Sequence, residues 1–569
     1  MYIESLLKYY QDELEFLVEG GKTFAKQYPT LAKTLDFSSF SSNDPDTQRL
    51  IESIAFLNAK LQKRLDEQAP EISQQILNAI YPQFIAPIPS FTIMNFSHIA
   101  KPTNEIRTIA KNTQLTSNKP LGDSKLNKQH YTFKTTMDIT ISPWQIQDIF
   151  LTDTAQAHLP YHIYTICNNA IVIKLEQLTS ATTDELVFYI HMADNVAFNV
   201  YESIMSLHPN KNTPIFEDGN QIGEIEPVGF SDDESLFPVF SRENPAYRIL
   251  LEYNAFAKKF LFFKAKFKKA PQKEIVIPFN SKKEIFIKKG DLLLNCTPAI
   301  NLFEKNSEPI TVNNKSTNYS VLADNNPQKG VDIHTILSIE NTNPKNLDKY
   351  TPYFSCKHVM DTENHHVFWL AQRKVNKQMT NYETSIAFLD TAPTLESSVL
   401  YAKLFCFQQN ANNVVSAQEK WNIAKTPGNL ECTNLDRPTP VRMPALHSRT
   451  QWRLISHLAV NHFGFNNSDG LNYIKELLAI YDFQNSSNKN PLHDLKELDY
   501  KVEMISFNRC IVPKASVVVS VDDSQSSEVF LLAHILGTFF SKILDFNTKI
   551  DCVLKKQNTG QTWKIWNIT

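Results

Sequence analysis

Asp44-Pro45-Asp46-Thr47-Gln48-Arg49-Leu50 reads as the opening of the longest helix in the sequence. Asp44 can accept hydrogen bonds from the free N–H groups of the first turn. Pro45 takes the first helical position, where its missing N–H costs nothing, and Asp46 sets negative charge at the positive end of the helix dipole. Beyond it Leu50, Ile54, Leu57, Leu61 and Leu65 recur at spacings of four, three, four and four, while Arg49, Glu52, Lys60, Lys63 and Glu67 fall largely off that stripe. About 23 helical residues would span roughly 34 Å. A narrow apolar seam of that length suits packing along other helices.

The flanking sequence offers such helices. Over residues 3–18, Leu7, Tyr10, Leu14 and Leu17 repeat at three, four and three, ahead of the break or close approach marked by Gly20-Gly21. A third helix begins at Pro70-Glu71, carries Ile72, Ile76, Leu77 and Ile80, and must stop before Pro82. Pro87 and Pro89 then force extended chain, so a helical assembly segment is expected over residues 1–90.

From Phe91 the period changes to two. Tyr131, Phe133, Thr135, Met137, Ile139 and Ile141 alternate with Thr132, Lys134, Thr136, Asp138 and Thr140 until Ser142-Pro143 ends the strand. Short strands are read at 170–175, 186–191, 248–253, 274–278, 284–288 and 332–340, and their separation by Asn, Lys and Pro predicts antiparallel sheets rather than βαβ units. The division expected is a β-rich domain over 91–325, a second over 326–440 and an α+β domain over 441–569. In that last section helices are read at 450–462, 471–481 and 528–544, and a strand at 516–521. The fold class is therefore multidomain α+β: a helical bundle segment, central antiparallel β-rich domains and a mixed C-terminal domain.

Composition narrows the function. The 569 residues are 42% hydrophobic and 21% charged, with a formal net charge of −3, so nothing pulls the whole chain toward nucleic acid or anionic lipid. Glu4, Lys8, Asp12, Glu13 and Glu15 interrupt any signal-peptide pattern, and the apolar run 530–540 is too short to span a bilayer and contains His534. Seven scattered cysteines without a CxxC pair read as reduced thiols. Thirteen glycines are about a third of the usual ~7%. No GxxxxGK, GxGxxG or GxSxG is present. His457 and His462 are five apart and face different ways on a helix, and no Cys/His cluster has metal-ligand spacing. No catalytic, cofactor or metal site is expected, and the chain reads as a frame rather than an enzyme.

One segment invites another reading. From Lys258 to Lys289 there are eleven lysines and two acids, a local charge of +9, with Phe260, Phe262, Phe263 and Phe267 interleaved. Nucleic-acid binding would use such lysines on phosphates and exposed rings for stacking. The plainer reading puts the rings in a β core and the lysines in solvent. Immediately upstream, residues 217–234 hold seven acids and no base, and two adjacent patches of opposite sign suit a protein-docking surface.

Several ordered fragments resemble one family. They begin with Tyr9-Tyr10-x-x-Glu13-Leu14-x-Phe16-Leu17, Phe24-Ala25-x-x-Tyr28-Pro29, Asp44-Pro45, Arg49-Leu50, Arg64-Leu65-Asp66 and Leu77-x-x-x-Tyr81-Pro82. They continue through Val228-Gly229-Phe230, Tyr247-Arg248-x-Leu250-Leu251-Glu252-Tyr253-Asn254-Ala255-Phe256, Asn295-Cys296-x-Pro298-x-Ile300-Asn301-Leu302-Phe303-Glu304 and Trp452-Arg453-Leu454-Ile455-Ser456-His457-Leu458. In this order they resemble TssF (also called ImpG or VasA), a baseplate component of the bacterial type VI secretion system. Asn112 departs from the pattern, standing where the family's glycine is expected in a tight turn. So do Cys406-Phe407-Gln408-Gln409-Asn410 and the glycine-free ending around Trp563 and Trp566.

The resemblance implies a structural protein without catalysis, like a contractile-phage baseplate wedge. Two copies would wrap one TssG, and the wedge would join TssK, TssE and the central VgrG spike, reach the sheath and template tube and sheath assembly. It implies a cytoplasmic location at the inner face of the inner membrane, contact with the membrane only through the secretion complex, and no nucleic acid. Leu7, Tyr10, Leu14, Leu17, Leu50, Ile54, Leu57, Leu61 and Leu65 would then line a bundle shared by two such chains and TssG. The rival readings are a nucleic-acid-binding scaffold using Lys258 to Lys289 and an unrecognised enzyme.

Overall fold

A computed structural model describes residues 70–568 with interruptions, the longest at 99–105, 121–129, 354–365, 376–381, 391–397, 460–469 and 482–493. Before residue 70 it describes 52–61 and residues 6, 7, 9–11, 13–15, 30 and 49. All of these earlier residues are helical, as the spacing predicts, and most of the expected bundle lies outside the described residues.

Helix α1, Pro70–Ile80, starts on its proline and ends before Pro82. The face it buries is not the apolar one expected. Ser73, Gln74, Gln75 and Leu77 point inward, while Ile72 and Ile80 are exposed. The reason is that α1 docks on backbone and amide groups. Gln75 Nε2 donates to Ala371 O at 2.9 Å, Gln74 Nε2 to Arg373 O at 3.3 Å and Ser73 Oγ to Gln451 Oε1 at 2.6 Å.

The extended chain after Pro87 enters a closed antiparallel barrel. Its order is Phe91–His98, Cys296–Ile300, His130–Thr135, Gln114–Pro120, Lys420–Ile423 and Leu430–Asn434. Strand pairing thus crosses the boundary placed near 325. The alternation is observed at Tyr131, Phe133 and Thr135, which are buried and alternate with half-exposed neighbours, but the strand ends at Thr135 rather than Ile141, and Ile139–Thr140 pairs with Thr108–Ile109 in a separate two-stranded sheet. Asn112 turns the chain at φ +65°, a left-handed conformation that glycine adopts freely and asparagine tolerates better than most residues.

Residues 144–294 form an antiparallel eight-stranded sheet, ordered Leu292–Leu294, Glu185–Ile190, Phe262–Phe267, Asn220–Pro227, Thr213–Glu217, Glu274–Phe279, Asn169–Gln177 and Trp144–Asp153. Helices α2 (Asp194–Met205) and α3 (Pro245–Phe256) belong to the same hydrophobic core as this sheet. A pair of four-stranded sheets follows. One holds Phe303–Asn306, Ile310–Val312, Val331–Asn341 and Ser398–Gln408, and the other Tyr319–Val321, Lys349–Pro352, His366–Val375 and Tyr382–Asp390. They share a core of Ile333, Ile339, Trp369, Ile386, Leu400 and Leu404.

Helices α4 (Ser448–Ala459) and α5 (Gly470–Tyr481) lead into a terminal sheet of Leu495–Phe507, Cys510–Val521, Lys549–Lys556 and Thr562–Ile568. Its two inner strands are parallel and are joined through α6, Glu528–Ile543, whose residues from Val529 to Phe540 are all buried. The buried stripe of α6 and that of α3 pack in one core, so the middle and last thirds of the chain are not independent bodies.

Arg442 fixes the end of α3. Its Nη1 donates to Asn254 O and its Nη2 to Ala255 O, each at 2.9 Å, satisfying carbonyls that a helix end leaves open. Arg442→Ala is expected to lower unfolding free energy by about 2 kcal/mol, read as a lower denaturation midpoint at unchanged m-value.

Candidate assembly site

Four of the described seam residues, Leu7, Ile54, Leu57 and Leu61, face solvent. Leu57 and Leu61 are 59% and 60% exposed, and Leu7, Ile54 and Phe56 are also exposed. Tyr10 and Leu14 are half-buried, whereas Leu17, Leu50 and Leu65 lie outside the described residues. The residues this helix turns inward are Ala55 and Ala59, both fully buried. Two alanines four apart form the inner line, and the large side chains project from the other side. A hydrophobicity count could not separate the two, because it ranks leucine above alanine whichever is covered. An exposed row of large apolar side chains is characteristic of a docking surface.

The core around α3 (Pro245–Phe256) is locked by a buried ionic cluster. Arg248, Glu252 and Lys259 are each at least 97% buried. Lys259 Nζ pairs with Glu252, Arg248 Nε lies 3.8 Å from Glu252 Oε1, and Arg248 Nη2 bonds Asp232 Oδ1 at 2.5 Å. Glu252 Oε1 also accepts the Leu236 N–H at 2.8 Å. Burial pulls the Lys259 ammonium below its usual pKa, against the pull of Glu252. At Asp232 burial pushes the carboxyl up, but Lys542 and Arg248 together hold it below the usual range. Gly229 crosses close by at φ +102°, where a Cβ would stand 3.0 Å from Lys259 O, so the Val228-Gly229-Phe230 run requires its glycine.

Other bonds tie α3 to the rest of the chain. Tyr81 OH donates to Tyr247 O at 3.1 Å, Tyr247 OH to His457 O at 3.2 Å, and Tyr253 OH to Glu528 Oε1 at 2.7 Å. Further out, Phe230 stacks on His534 with ring centroids 3.9 Å apart, and His534 stacks on Trp566 at 4.8 Å. Burial lowers the His534 pKa to about 3, so this ring stays neutral at working pH.

The oppositely charged segments are spent on each other. Glu224 and Glu226 oppose Lys266 and Lys264 across neighbouring strands. Ion pairs join Lys264 to Glu185 at 3.3 Å, Lys266 to Glu226 at 3.5 Å and Lys268 to Glu224 at 3.7 Å. Glu217 is buried and accepts the N–H groups of Gln272 and Lys273, both at 2.8 Å. Phe260, Phe262, Phe263 and Phe267 are buried and offer no stacking faces. The two runs therefore form a cross-strand charge ladder over an aromatic core, not the pair of docking patches the sequence suggests.

Chemistry is sparse elsewhere. Among the described residues no group of three or more His, Cys, Asp or Glu could hold a metal ion. Cys167, Cys296, Cys406, Cys432 and Cys552 are buried, and burial pushes each thiol up, Cys167 to about 11 and Cys296 to about 12. A cleft of about 320 Å³ lies between α1 and the strands Val331–Asn341 and His366–Val375. Within it Arg373 donates to the carbonyls of Ile85, Ile333 and His334, and burial lowers the His334 pKa to about 3. A guanidinium spent on backbone and a neutral histidine do not make an acid–base pair.

The family described as Type VI secretion system, TssF, matches residues 3–569. The chain belongs to the TssF family. It is 22% identical to the type VI secretion system component TssF1 of Pseudomonas aeruginosa, with 98% of each chain covered. Among solved structures, it resembles a chain of a TssK-TssF-TssG baseplate subcomplex, with TM-score 0.70, 17% identity, and 91% of this chain and 99% of that chain covered. It also resembles a chain of a type VI secretion baseplate complex, with TM-score 0.57, 18% identity and 99% of both chains covered. The TssF-like run from Tyr247 to Phe256 is the central helix α3 itself.

Two outcomes test the locked body. Lys259→Met is expected to cost about 3 kcal/mol by leaving Glu252 and its neighbours out of balance in a buried site, measured by chemical denaturation. Lys564 Nζ donates to His208 O at 2.9 Å and Lys211 O at 3.0 Å, and burial lowers its pKa from 10.5 to about 8. Between those values the unfolded chain binds the proton and the folded chain does not, so stability rises with pH across that window. Lys564→Met should remove an increment of about 3 kcal/mol from that rise, seen as a flatter pH dependence of the unfolding free energy than the parent's.

Proposed function

We propose that this chain is a non-catalytic structural subunit of the type VI secretion baseplate, held to TssG through its helical seam. The observation that carries the reading is the TssF match from residue 3 to 569, which includes the seam. The exposed row of Leu7, Ile54, Leu57 and Leu61 supports it, because burying such side chains in a partner gains about 2 kcal/mol each. In this reading two copies wrap one TssG, the wedge binds TssK and TssE, and six wedges surround the VgrG spike at the inner face of the inner membrane. The template for tube and sheath is then the assembled ring. Among the described residues no helix is long and apolar enough to cross a membrane, which fits attachment through partners.

Co-expression with TssG and TssK supplies the test. The purified complex should contain two copies of this chain per TssG by native mass. Leu57→Asp should weaken TssG retention by at least about tenfold while leaving the far-ultraviolet dichroism of the β-rich body unchanged. Normal retention would make the seam an internal contact of one chain.

A further inference from the structure

The terminal sheet carries a feature that the seam does not use. Strand Leu495–Phe507 is thirteen residues long, and among the described residues nothing pairs with its outer edge. Its partner strand Cys510–Val521 meets the third strand only from Lys514↔Lys549 inward. Past Glu503 and Lys514 the hairpin therefore runs on, among the described residues, as a two-stranded ribbon. Two-stranded ribbons are marginal in water, and long open edges are pairing sites unless blocked.

This edge is not blocked on its core side. Leu498, Tyr500, Val502 and Met504 share a face with Val519, Val517, Ala515 and Pro513, their cross-strand partners. The inner part of that face is buried, as at Val517 and Val519. The outer part carries the same apolar pattern into solvent, with Val502, Met504 and Ile511 exposed by 48%, 72% and 77%. The opposite face presents Lys501 and Glu503, both exposed and without an ion pair among the described residues.

We infer that this edge pairs with the same edge of a second copy of the chain, antiparallel and centred on Val502. The argument is self-complementarity. About a two-fold axis through Val502, each Lys501 stands opposite the other copy's Glu503. Each Tyr500 stands opposite a Met504, and Val502 meets itself. Any register centred one residue away sets either Lys501 or Glu503 against its own copy, which like charge disfavours. An isologous contact of this kind closes after two chains and joins two four-stranded sheets into one of eight. The pairing needs neither TssG nor the secretion-system reading, and it uses a surface separate from Leu57.

The test is sedimentation velocity on the purified full-length chain carrying Leu57→Asp, which removes the seam as a source of association. With the hairpin unaltered this chain forms a reversible dimer. Lys501→Glu and Glu503→Lys each place like charges opposite one another at two points and raise the dimer Kd about tenfold. Mixed one to one, the two single variants associate with each other at about the parent affinity, because each supplies the sign that the other lacks. The double variant Lys501→Glu with Glu503→Lys again self-associates like the parent. A chain that stays monomeric up to its solubility limit overturns the inference, as do single variants that dimerise like the parent or a mixture that gains nothing.

Discussion

Helix α3 carries Arg248 and Glu252 into the interior with Lys259 behind them, and the other parts of the chain are placed by reference to that cluster. Two buried cations and one buried anion are costly to remove from water unless each finds partners. The partners are Asp232, the Leu236 N–H and, through Asp232, Lys542 on α6. The polar tips of Tyr247 and Tyr253 reach His457 O and Glu528, and Arg442 closes the C-terminal end of the helix. One helix so committed ties residues from Tyr81 to Glu528 into one body. A charge cluster of this kind adds little net stability over an apolar core, but it penalises any other arrangement of the same segments.

The same economy governs the surface near that helix. Residues 217–234 and 258–289 would project strong fields of opposite sign if they lay apart. Strand pairing sets Glu224 and Glu226 against Lys266 and Lys264, and the field largely cancels. The phenylalanines between those lysines go inward, as strand alternation requires. Among the described residues the apolar side chains left outside include the row along residues 54, 57 and 61, and Met504 and Ile511 of the terminal hairpin.

Much of this was legible in the sequence. The helix limits at Pro70 and before Pro82, the change to strand period at Phe91, the antiparallel sheets and the apolar stripe of α6 follow from proline geometry and side-chain periodicity. The absence of phosphate loops and of metal spacing also stands in the residues themselves. Sequence reading went astray at the inward faces. It gave α1 an isoleucine face, whereas glutamines and a serine are buried because they find carbonyl and amide partners 296 to 378 residues away. It read the acidic and basic runs as docking patches because their pairing is set by strand register, a nonlocal property.

The sequence by itself determined the proline-bounded limits of α1, the position of many strands, which side chains could leave water, and the family to which the chain belongs, but it read residues 248–253 as a strand where the structure has helix α3. Only the tertiary structure decided which apolar rows are covered. Leucine and alanine stripes on the same helix are equally periodic, and Ala55 and Ala59 turn inward while Leu57 and Leu61 do not. It also decided that strands on either side of residue 325 close one barrel and that α3 and α6 share one core. The physical reason is that periodicity fixes the direction of a side chain relative to its own backbone. Whether anything stands in that direction depends on segments hundreds of residues distant and, at the seam and the hairpin edge, on other chains.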